Sequence, residues 1–262
     1  MTLVKKLLQA GYRVAATSRN AQVLKSAVGM IDNDRFLPLT VDLNNTDSIG
    51  DSITQTLSAF GRIDVAVNNA GYGMAGTLEE TDEQKIRSIV DINLMAAIEV
   101  TRQLLPILRT QRSGYIINTG SVAGFVGAPG WSVYSATKAA LAAFSEVLAL
   151  DVAAFGINVT VVEPAGFRTG FLTDDSPAYT ATKIEGYDAV RKTQEKYLAM
   201  NGWQAGDPEK AAEIFIRLAG HPAPPMHLFL GWDAYNRASN KLKEMSAELE
   251  AWKDLTFSAD YE

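Results

Sequence analysis

Hydrophobic residues along this chain follow two alternating patterns. Short apolar runs rich in Val, Ile and Leu are separated by longer stretches in which apolar residues recur every three or four positions. The first pattern favours β-strands and the second favours amphipathic helices. The strand candidates are residues 11–18, 35–43, 63–71, 114–121, 157–166 and 226–231. The clearest helix candidates are residues 47–60, 83–110, 132–155 and 207–218.

This alternation predicts one α/β domain over residues 1–262. The strand candidates are nearly all apolar rather than alternating, which is typical of parallel strands covered on both faces. Strands that alternate with helices predict a doubly wound parallel sheet, Rossmann-like, in three αβα layers. Asp207, Pro208 and Glu209 mark one helix start, because they supply an N-cap, a proline at the first helical position and an acidic residue in the first turn.

Residues 171–206 interrupt the alternation, since they contain no strand candidate. They follow the carboxyl end of a strand candidate, where ligands bind in this architecture, so the segment is a candidate substrate lid. Its aromatic residues fit a lid and ordinary helix packing equally well, and the sequence leaves both open. They are Phe171, Tyr179, Tyr187, Tyr197 and Trp203.

Composition narrows the possible functions. The net charge is −6 without any Lys/Arg run, which argues against a nucleic-acid partner. There is no cysteine, so disulfide and thiolate chemistry are excluded and a reducing compartment is favoured. His221 and His227 are the only histidines and flank a Pro-rich turn, so neither a Ser/His/Asp triad nor a metal site is predicted. No membrane-spanning stretch or signal peptide is recognised, which predicts a soluble cytoplasmic protein with no membrane partner.

The clearest chemical signal is the pair Tyr134 and Lys138. They are four residues apart in an Ala-rich helical stretch, so both project from one helix face. An ammonium group near a phenol favours the phenolate and lowers a pKa that starts near 10. Such a tyrosine can donate or accept a proton near neutral pH.

Tyr-x-x-x-Lys is a weak motif by itself, because chance supplies such pairs. Tyr179 and Lys183 form a second one, which we expect on the surface. Context distinguishes the two pairs. Ser121 precedes Tyr134 by thirteen residues, at the carboxyl end of a strand candidate, where active-site groups gather. The same step back from Tyr179 reaches a glycine.

Four ordered motifs resemble those of the short-chain dehydrogenase/reductase family of Rossmann type, along almost the whole chain. They are Asn-Asn-Ala-Gly at residues 68–71, the serine at 121, Tyr-x-x-x-Lys at 134–138, and Pro-Ala-Gly at 164–166 with a threonine at 169. The resemblance implies an oxidoreductase that interconverts a ketone or aldehyde and an alcohol by direct hydride transfer. A catalytically weak or silent nucleotide-binding protein and an isomerase or dehydratase remain alternatives on the same fold.

The resemblance also implies a role for each catalytic candidate. Tyr134 would be the general acid or base at the carbonyl oxygen, and Ser121 would hydrogen-bond that oxygen. Lys138 would lower the pKa of the tyrosine and hold the nicotinamide ribose, while Asn93 would anchor a water that links Lys138 to solvent. Ser121 could also be a turn residue, and Asn93 a mid-helix polar group bonded to the backbone.

Cofactor choice follows from the end of the first strand candidate. NAD-preferring members of this fold carry an acidic residue there, whereas a nearby Arg accommodates the 2′-phosphate of NADP. This chain has Ser18 and Arg19 instead of an acid, so NADP(H) is predicted. The cofactor-binding residues assigned by the resemblance are Ser18, Arg19, Asp42, Leu43, Asn69, Ala70, Gly71, Tyr134, Lys138, Pro164, Gly166 and Thr169.

Two further expectations rest on the same resemblance. The family begins with a strand and a glycine-rich phosphate loop before the helix that opens this chain. We therefore expect roughly fifteen to twenty further residues before Met1. Relatives are often dimers or tetramers joined through the helix after the catalytic tyrosine, so a homodimer or homotetramer acting on a small carbonyl or alcohol substrate is expected.

Overall fold

A computed structural model describes residues 1–29, 34–172, 178–179 and 183–261. Within this part of the chain every strand pairing is parallel. The strands are β1 (Val14–Ser18), β2 (Phe36–Thr40), β3 (Val65–Asn68), β4 (Met74–Ala75), β5 (Gly114–Thr119), β6 (Ile157–Pro164), β7 (Ala178–Tyr179) and β8 (His227–Leu230).

Helices separate and flank the strands. They are α1 (Thr2–Gln9), α2 (Ala21–Val28), α3 (Thr46–Phe60), α4 (Glu83–Val90), α5 (Ala96–Gln111), α6 (Val122–Phe125), α7 (Ser132–Val152), α8 (Asp188–Ala199), α9 (Pro208–Ala219), α10 (Trp232–Ala251) and α11 (Lys253–Phe257). A π-helical turn (Asp91–Met95) joins α4 to α5, and 3-10 turns occupy Ala153–Phe155 and Gly170–Leu172.

The strands form a central sheet of order β3-β5-β6-β8, with β1 paired to β2 and β4 paired to β7. One apolar core links the first two groups, because Leu39 of β2 clusters with Ile116 of β5 and Val159 of β6. Helix α1 is joined to α9 by Lys6, whose Nζ lies 3.2 Å from Glu209 and 3.0 Å from Glu213. The parallel sheet with flanking helices confirms the predicted doubly wound, Rossmann-like α/β fold.

Local sequence explains where helices begin. The Asn45 side chain accepts hydrogen bonds from the backbone N–H groups of Asp47 and Ser48, which caps α3. Asp207 accepts from the N–H of Glu209 at 2.8 Å, with Pro208 in the first turn, so the predicted start of α9 is confirmed. These caps orient helices that pack on the sheet.

Several predicted boundaries were wrong. The expected helix over residues 83–110 is interrupted by the π-helical turn, because one additional residue is accommodated between α4 and α5. Residues 171–206 contain β7, which pairs with β4, although no strand was expected there. The C-terminal helices α10 and α11 were not predicted.

Candidate active site

Helix α7 places Tyr134 and Lys138 on its buried face. Their side chains are 6% and 5% exposed, and Thr137 and Leu141 on the same face are also buried. The i, i+4 spacing therefore brings the phenol and the ammonium group to one region near the carboxyl end of β5, as the sequence predicts. The second pair is not tested, since the side chain of Tyr179 lies outside the described residues; Lys183 is exposed.

Ser121 follows β5 and makes two contacts through its hydroxyl group. Its Oγ accepts a hydrogen bond from the Ala123 N–H at 3.1 Å, which caps the short helix α6. The same side chain hydrogen-bonds with Tyr134. Ser121 is thus a turn residue and a neighbour of the phenol at once, so the two interpretations of this residue are compatible.

Aromatic rings surround Tyr134. Its ring centroid lies 5.5 Å from that of Trp131, in an edge-on arrangement, and 5.8 Å from that of Phe171. Tyr197 of α8 packs on Trp131 at 5.0 Å. Two aromatic residues of the candidate lid therefore contact the site, whereas Trp203 is 82% exposed. A further aromatic residue, Phe125 of α6, packs on Phe229 and not on these rings.

Burial among these rings raises the pKa of Tyr134 to about 12, although Ser121 opposes the shift. The expectation that Lys138 lowers this pKa is therefore not met in the structure. Desolvation of the phenolate is the largest cause of the raised pKa, and the Lys138 ammonium lies 6.0 Å from the centre of the phenol ring. The phenol is protonated at neutral pH, as a proton donor must be.

Lys138 reaches back towards β5. Its Nζ donates a hydrogen bond to the carbonyl oxygen of Thr119 at 2.7 Å. Burial lowers its pKa to about 8, because the ammonium group loses water on entering this site. Lys138 is thus close to its titration point at physiological pH and is held near the carboxyl end of β5.

Asn93 lies in the π-helical turn, fully buried. Its Oδ1 accepts from the Tyr72 N–H at 3.0 Å, and its Nδ2 donates to the Tyr72 carbonyl at 2.9 Å and to Thr137 Oγ1 at 3.3 Å. A Cβ on Gly71 would lie 3.0 Å from Asn93 Oδ1 and 3.4 Å from Lys138 Nζ. The glycine therefore allows this close approach, and Asn93 holds the loop after β3 against α7.

Candidate cofactor residues of the first two strands lie at their carboxyl ends. Ser18 ends β1, and its hydroxyl bonds to both the N–H and the carbonyl of Asn20. Arg19 follows and is exposed, and no ion pair holds it among the described residues. Asp42 is exposed after β2, where its Oδ1 accepts from the Asn44 N–H; Leu43 packs partly against the core.

The remaining candidates follow β3 and β6. Asn69, Ala70 and Gly71 are exposed just after β3, and Asn69 Oδ1 accepts from Thr119 Oγ1 at 3.5 Å. Pro164 ends β6, and Gly166 and Thr169 in the loop that follows are exposed. All these residues lie at carboxyl ends of parallel strands, the edge where this architecture binds ligands.

Sequence reasoning missed Gln204, which lies beside Gly166. A Cβ on Gly166 would be 3.4 Å from Gln204 Cγ, and the Gln204 side chain is 1% exposed. Both of its amide atoms, and the indole Nε1 of Trp131, are buried without a hydrogen-bond partner within the described structure. Buried polar atoms without partners are costly, so this wall of the site carries unused hydrogen-bonding groups.

His227 lies between two carboxylates, with Nδ1 at 3.0 Å from Glu163 and Nε2 at 3.1 Å from Glu146. Among the described residues, no group of three or more His, Cys, Asp or Glu side chains could hold a metal ion. No helix in that part of the chain is long and apolar enough to cross a membrane.

A buried carboxylate fastens the candidate lid. Glu80 follows β4; its Oε1 accepts from the Ile184 N–H at 2.6 Å and from the Arg191 guanidinium, and its Oε2 accepts from the Thr77 N–H at 3.3 Å. The Glu80 side chain is inaccessible to solvent. Glu80 therefore ties Ile184, just before α8, and Arg191 of α8 to the loop after β4.

Replacing Glu80 by Gln should lower the melting temperature at pH 7 by roughly 5 °C, because an amide cannot replace every acceptor contact of the carboxylate. These contacts, chiefly with the Ile184 N–H, lower the Glu80 pKa to about 2. A lowered carboxyl pKa stabilises the fold above the unfolded pKa near 4.5. This stabilisation is lost as pH falls towards 2. The difference between wild type and E80Q in thermal unfolding should therefore shrink from pH 4.5 downwards.

Glu83→Gln is the matched control, since Glu83 is an exposed residue of α4 that pairs with Arg87. Equal melting temperatures for E80Q and E83Q at pH 7 would contradict the anchoring role of Glu80.

Comparison with known proteins agrees with a Rossmann-type oxidoreductase. The short chain dehydrogenase family model matches residues 1–180. Oxidoreductase BOA17 of Botryotinia fuckeliana is 35% identical, covering 99% of this chain and 94% of the relative. The 3-ketodihydrosphingosine reductase of Bacteroides thetaiotaomicron is 31% identical, covering 86% and 81%. A short-chain dehydrogenase structure from Streptomyces avermitilis has TM-score 0.89 and 33% identity, covering 99% and 94%.

The chain belongs to the short-chain dehydrogenase/reductase family. Members of this family are oxidoreductases that use NAD(H) or NADP(H) with small-molecule substrates. The resemblance inferred from the four motifs is confirmed.

Proposed function

We propose that this protein is an NADP(H)-dependent oxidoreductase that interconverts a ketone or aldehyde and an alcohol, with Tyr134 as the proton donor or acceptor. The observation that carries the proposal is the buried, protonated phenol of Tyr134, hydrogen-bonded to Ser121 and on the same helix face as Lys138. A proton donor fixed beside a second hydroxyl group suits a carbonyl oxygen that gains negative charge.

The described residues fit a nicotinamide dinucleotide. Arg19 offers an exposed guanidinium at the end of β1, which suits the 2′-phosphate of the adenosine half. Gly71 and Gly166 present no side chain at one position each in the loops after β3 and β6, and the buried, unpartnered amide of Gln204 lies next to Gly166. When bound, the nicotinamide supplies or accepts the hydride.

Each catalytic side chain then has a defined task. Tyr134 donates its phenolic proton to the substrate oxygen during carbonyl reduction, and Ser121 Oγ hydrogen-bonds the same oxygen. The Lys138 ammonium, 6.0 Å from the phenol ring centre, stabilises the phenolate that results. Asn93 positions the loop of Gly71 against α7 and so keeps Lys138 in place.

The surroundings of Tyr134 favour an apolar substrate. Trp131, Phe171 and Leu172 form one buried cluster with the phenol, and Tyr197 packs against this cluster. Such rings bind hydrocarbon or aromatic groups better than charged ones. The buried Trp131 N–H in this cluster has no hydrogen-bond partner in the described structure, so a hydrogen-bond acceptor on the substrate would be matched there.

Replacing Arg19 by Ala tests cofactor choice. Loss of charge-assisted hydrogen bonds to a phosphate should lower kcat/KM with NADPH roughly 10- to 100-fold and leave kcat/KM with NADH nearly unchanged. The kcat/KM values with NADPH and with NADH are measured on a panel of apolar ketones and aldehydes. NADPH binding is titrated in parallel by cofactor fluorescence. The fluorescence titration reports binding even if no panel member is a substrate.

Arg87→Ala, in the exposed face of α4, is the matched control and should leave both cofactors unaffected. Wild-type enzyme that uses NADH and NADPH with equal kcat/KM would refute the assignment of Arg19 to the 2′-phosphate.

We also propose that the protein forms a homodimer or homotetramer through α7. Val147 and Leu150 are 58% and 79% exposed on this helix, on the side away from the site. Small residues such as Ala139, Ala140 and Ala143 would let a partner helix approach closely. The exposed apolar side chains and the small residues of α7 support this proposal.

A further inference from the structure

The C-terminal helices carry an apolar surface that their own chain does not cover. Helix α10 has 20 residues, and only Ala234 and Ala238, in its first two turns, are buried. From residue 242 to residue 261 every described side chain is exposed. A helix has little stability in water without packing, even at 15 residues, so this solvent-exposed extension calls for a partner.

The exposed apolar side chains form a regular seam. Leu242, Met245, Leu249 and Trp252 follow one another at intervals of three, four and three residues and are 41–71% exposed. This is the spacing of a and d positions, which place side chains along one face for knobs-into-holes packing with another helix. The pattern continues the line of Ala238, which is buried against the part of the same chain that precedes α10, here called the body.

The position of the body decides the direction of a partner helix. In a parallel pair, the first turns of the partner would lie opposite Ala234 and Ala238, where the body of the first copy already packs. In an antiparallel pair, the two segments 242–252 lie opposite each other, and each body lies beyond the end of the other helix. A two-fold axis near residue 247 then sets Leu242 opposite Trp252 and Met245 opposite Leu249 of the second copy.

Charges beside the seam match this arrangement. Lys241 and Glu248 directly precede Leu242 and Leu249, so both flank the same side of the seam. Neither takes part in an ion pair within the described part of its own chain. In the antiparallel pair, Lys241 of each copy comes beside Glu248 of the other, which gives two equivalent attractions.

We propose that two copies of this chain associate through an antiparallel pair of α10 helices along Leu242, Met245, Leu249 and Trp252. The surface is separate from α7, so an α7 dimer and an α10 dimer combined would give a closed tetramer with two kinds of two-fold interface. The second copy is the occupant that the seam fits, because the antiparallel pairing sets apolar side chains opposite apolar side chains and Lys241 beside Glu248.

The first test is the mass of the full chain in solution, by sedimentation or light scattering. The double variant L242E/L249E should halve the mass of the wild-type assembly, since four like charges would replace the centre of the seam. Ala247→Glu, on the opposite face of the same helix, should leave the mass unchanged. An unchanged mass for L242E/L249E would overturn the proposal. Circular dichroism confirms folding, which these exposed positions should not affect.

The second test uses the absence of native cysteine. The double variant L242C/W252C should form a disulfide-linked dimer on mild oxidation, whereas L242C and W252C alone should not. In the antiparallel pair, identical positions are ten residues apart along the axis, about 15 Å. Linked dimers from the single variants would show a parallel pair, and no linkage in any variant would show no pair; either result overturns the proposal.

Discussion

Replacing Tyr134 by Phe is expected to lower kcat for carbonyl reduction about a thousandfold while NADPH binding is retained. Phenylalanine keeps the ring that packs against Trp131 and Phe171 but removes the proton donor next to Ser121. General acid catalysis contributes factors of this size. The measurement is NADPH oxidation with the best substrate of the panel, together with cofactor titration by fluorescence.

Tyr12→Phe is the matched control, because Tyr12 is an exposed tyrosine outside the site. It should retain wild-type turnover. Turnover of Y134F within threefold of wild type would refute proton transfer by Tyr134. Product formed by the wild type without net change in cofactor would instead indicate an isomerase or a dehydratase.

Replacing Lys138 by Met is expected to lower kcat/KM at least a hundredfold while the melting temperature at pH 7 stays equal or rises. The activity falls because the phenolate loses its neighbouring cation. The stability does not fall because burial lowers the Lys138 pKa from 10.5 to about 8, so the buried ammonium group destabilises the fold increasingly as pH falls below 10.5, with its full effect below about 8. Kinetics and thermal unfolding of the same preparation test both parts.

Lys85→Met, at an exposed position of α4, is the control and should alter neither quantity. In the alcohol-oxidation direction, the K138M profile should also move to higher pH, since the tyrosine must lose its proton without the nearby cation. A large fall in melting temperature with an unchanged pH profile would mean that Lys138 is structural.

The sequence predicts much of the fold and the core of the site. Six apolar runs coincide with β1, β2, β3, β5, β6 and β8, because buried parallel strands need continuous hydrophobic character. Tyr134 and Lys138 lie on one face of α7 because the helix period requires it. Ser121 follows β5 as expected, because the apolar run that predicts this strand ends just before the serine.

Other features depend on contacts between distant segments. Glu80 and Arg191 are 111 positions apart, and nothing near either residue reveals that they meet. The π-helical turn at Asn93 leaves no clear mark in composition. The direction of the Tyr134 pKa depends on burial by Trp131 and Phe171, which only the packed structure supplies. By contrast, the three-and-four spacing of the α10 seam is visible in the sequence, although α10 was not among the predicted helices.

The aromatic cover over Tyr134 has a consequence for the kinetics of the proposed reaction. A phenol beneath Trp131, Phe171 and Tyr197 cannot touch a substrate oxygen until these rings move apart. Only the open fraction of the molecules is then competent to bind, and the apparent Kd equals the intrinsic Kd divided by that fraction. We expect the contacts of Glu80 with Ile184 and Arg191 to lower this open population, and so to weaken substrate affinity while they keep water from the phenol.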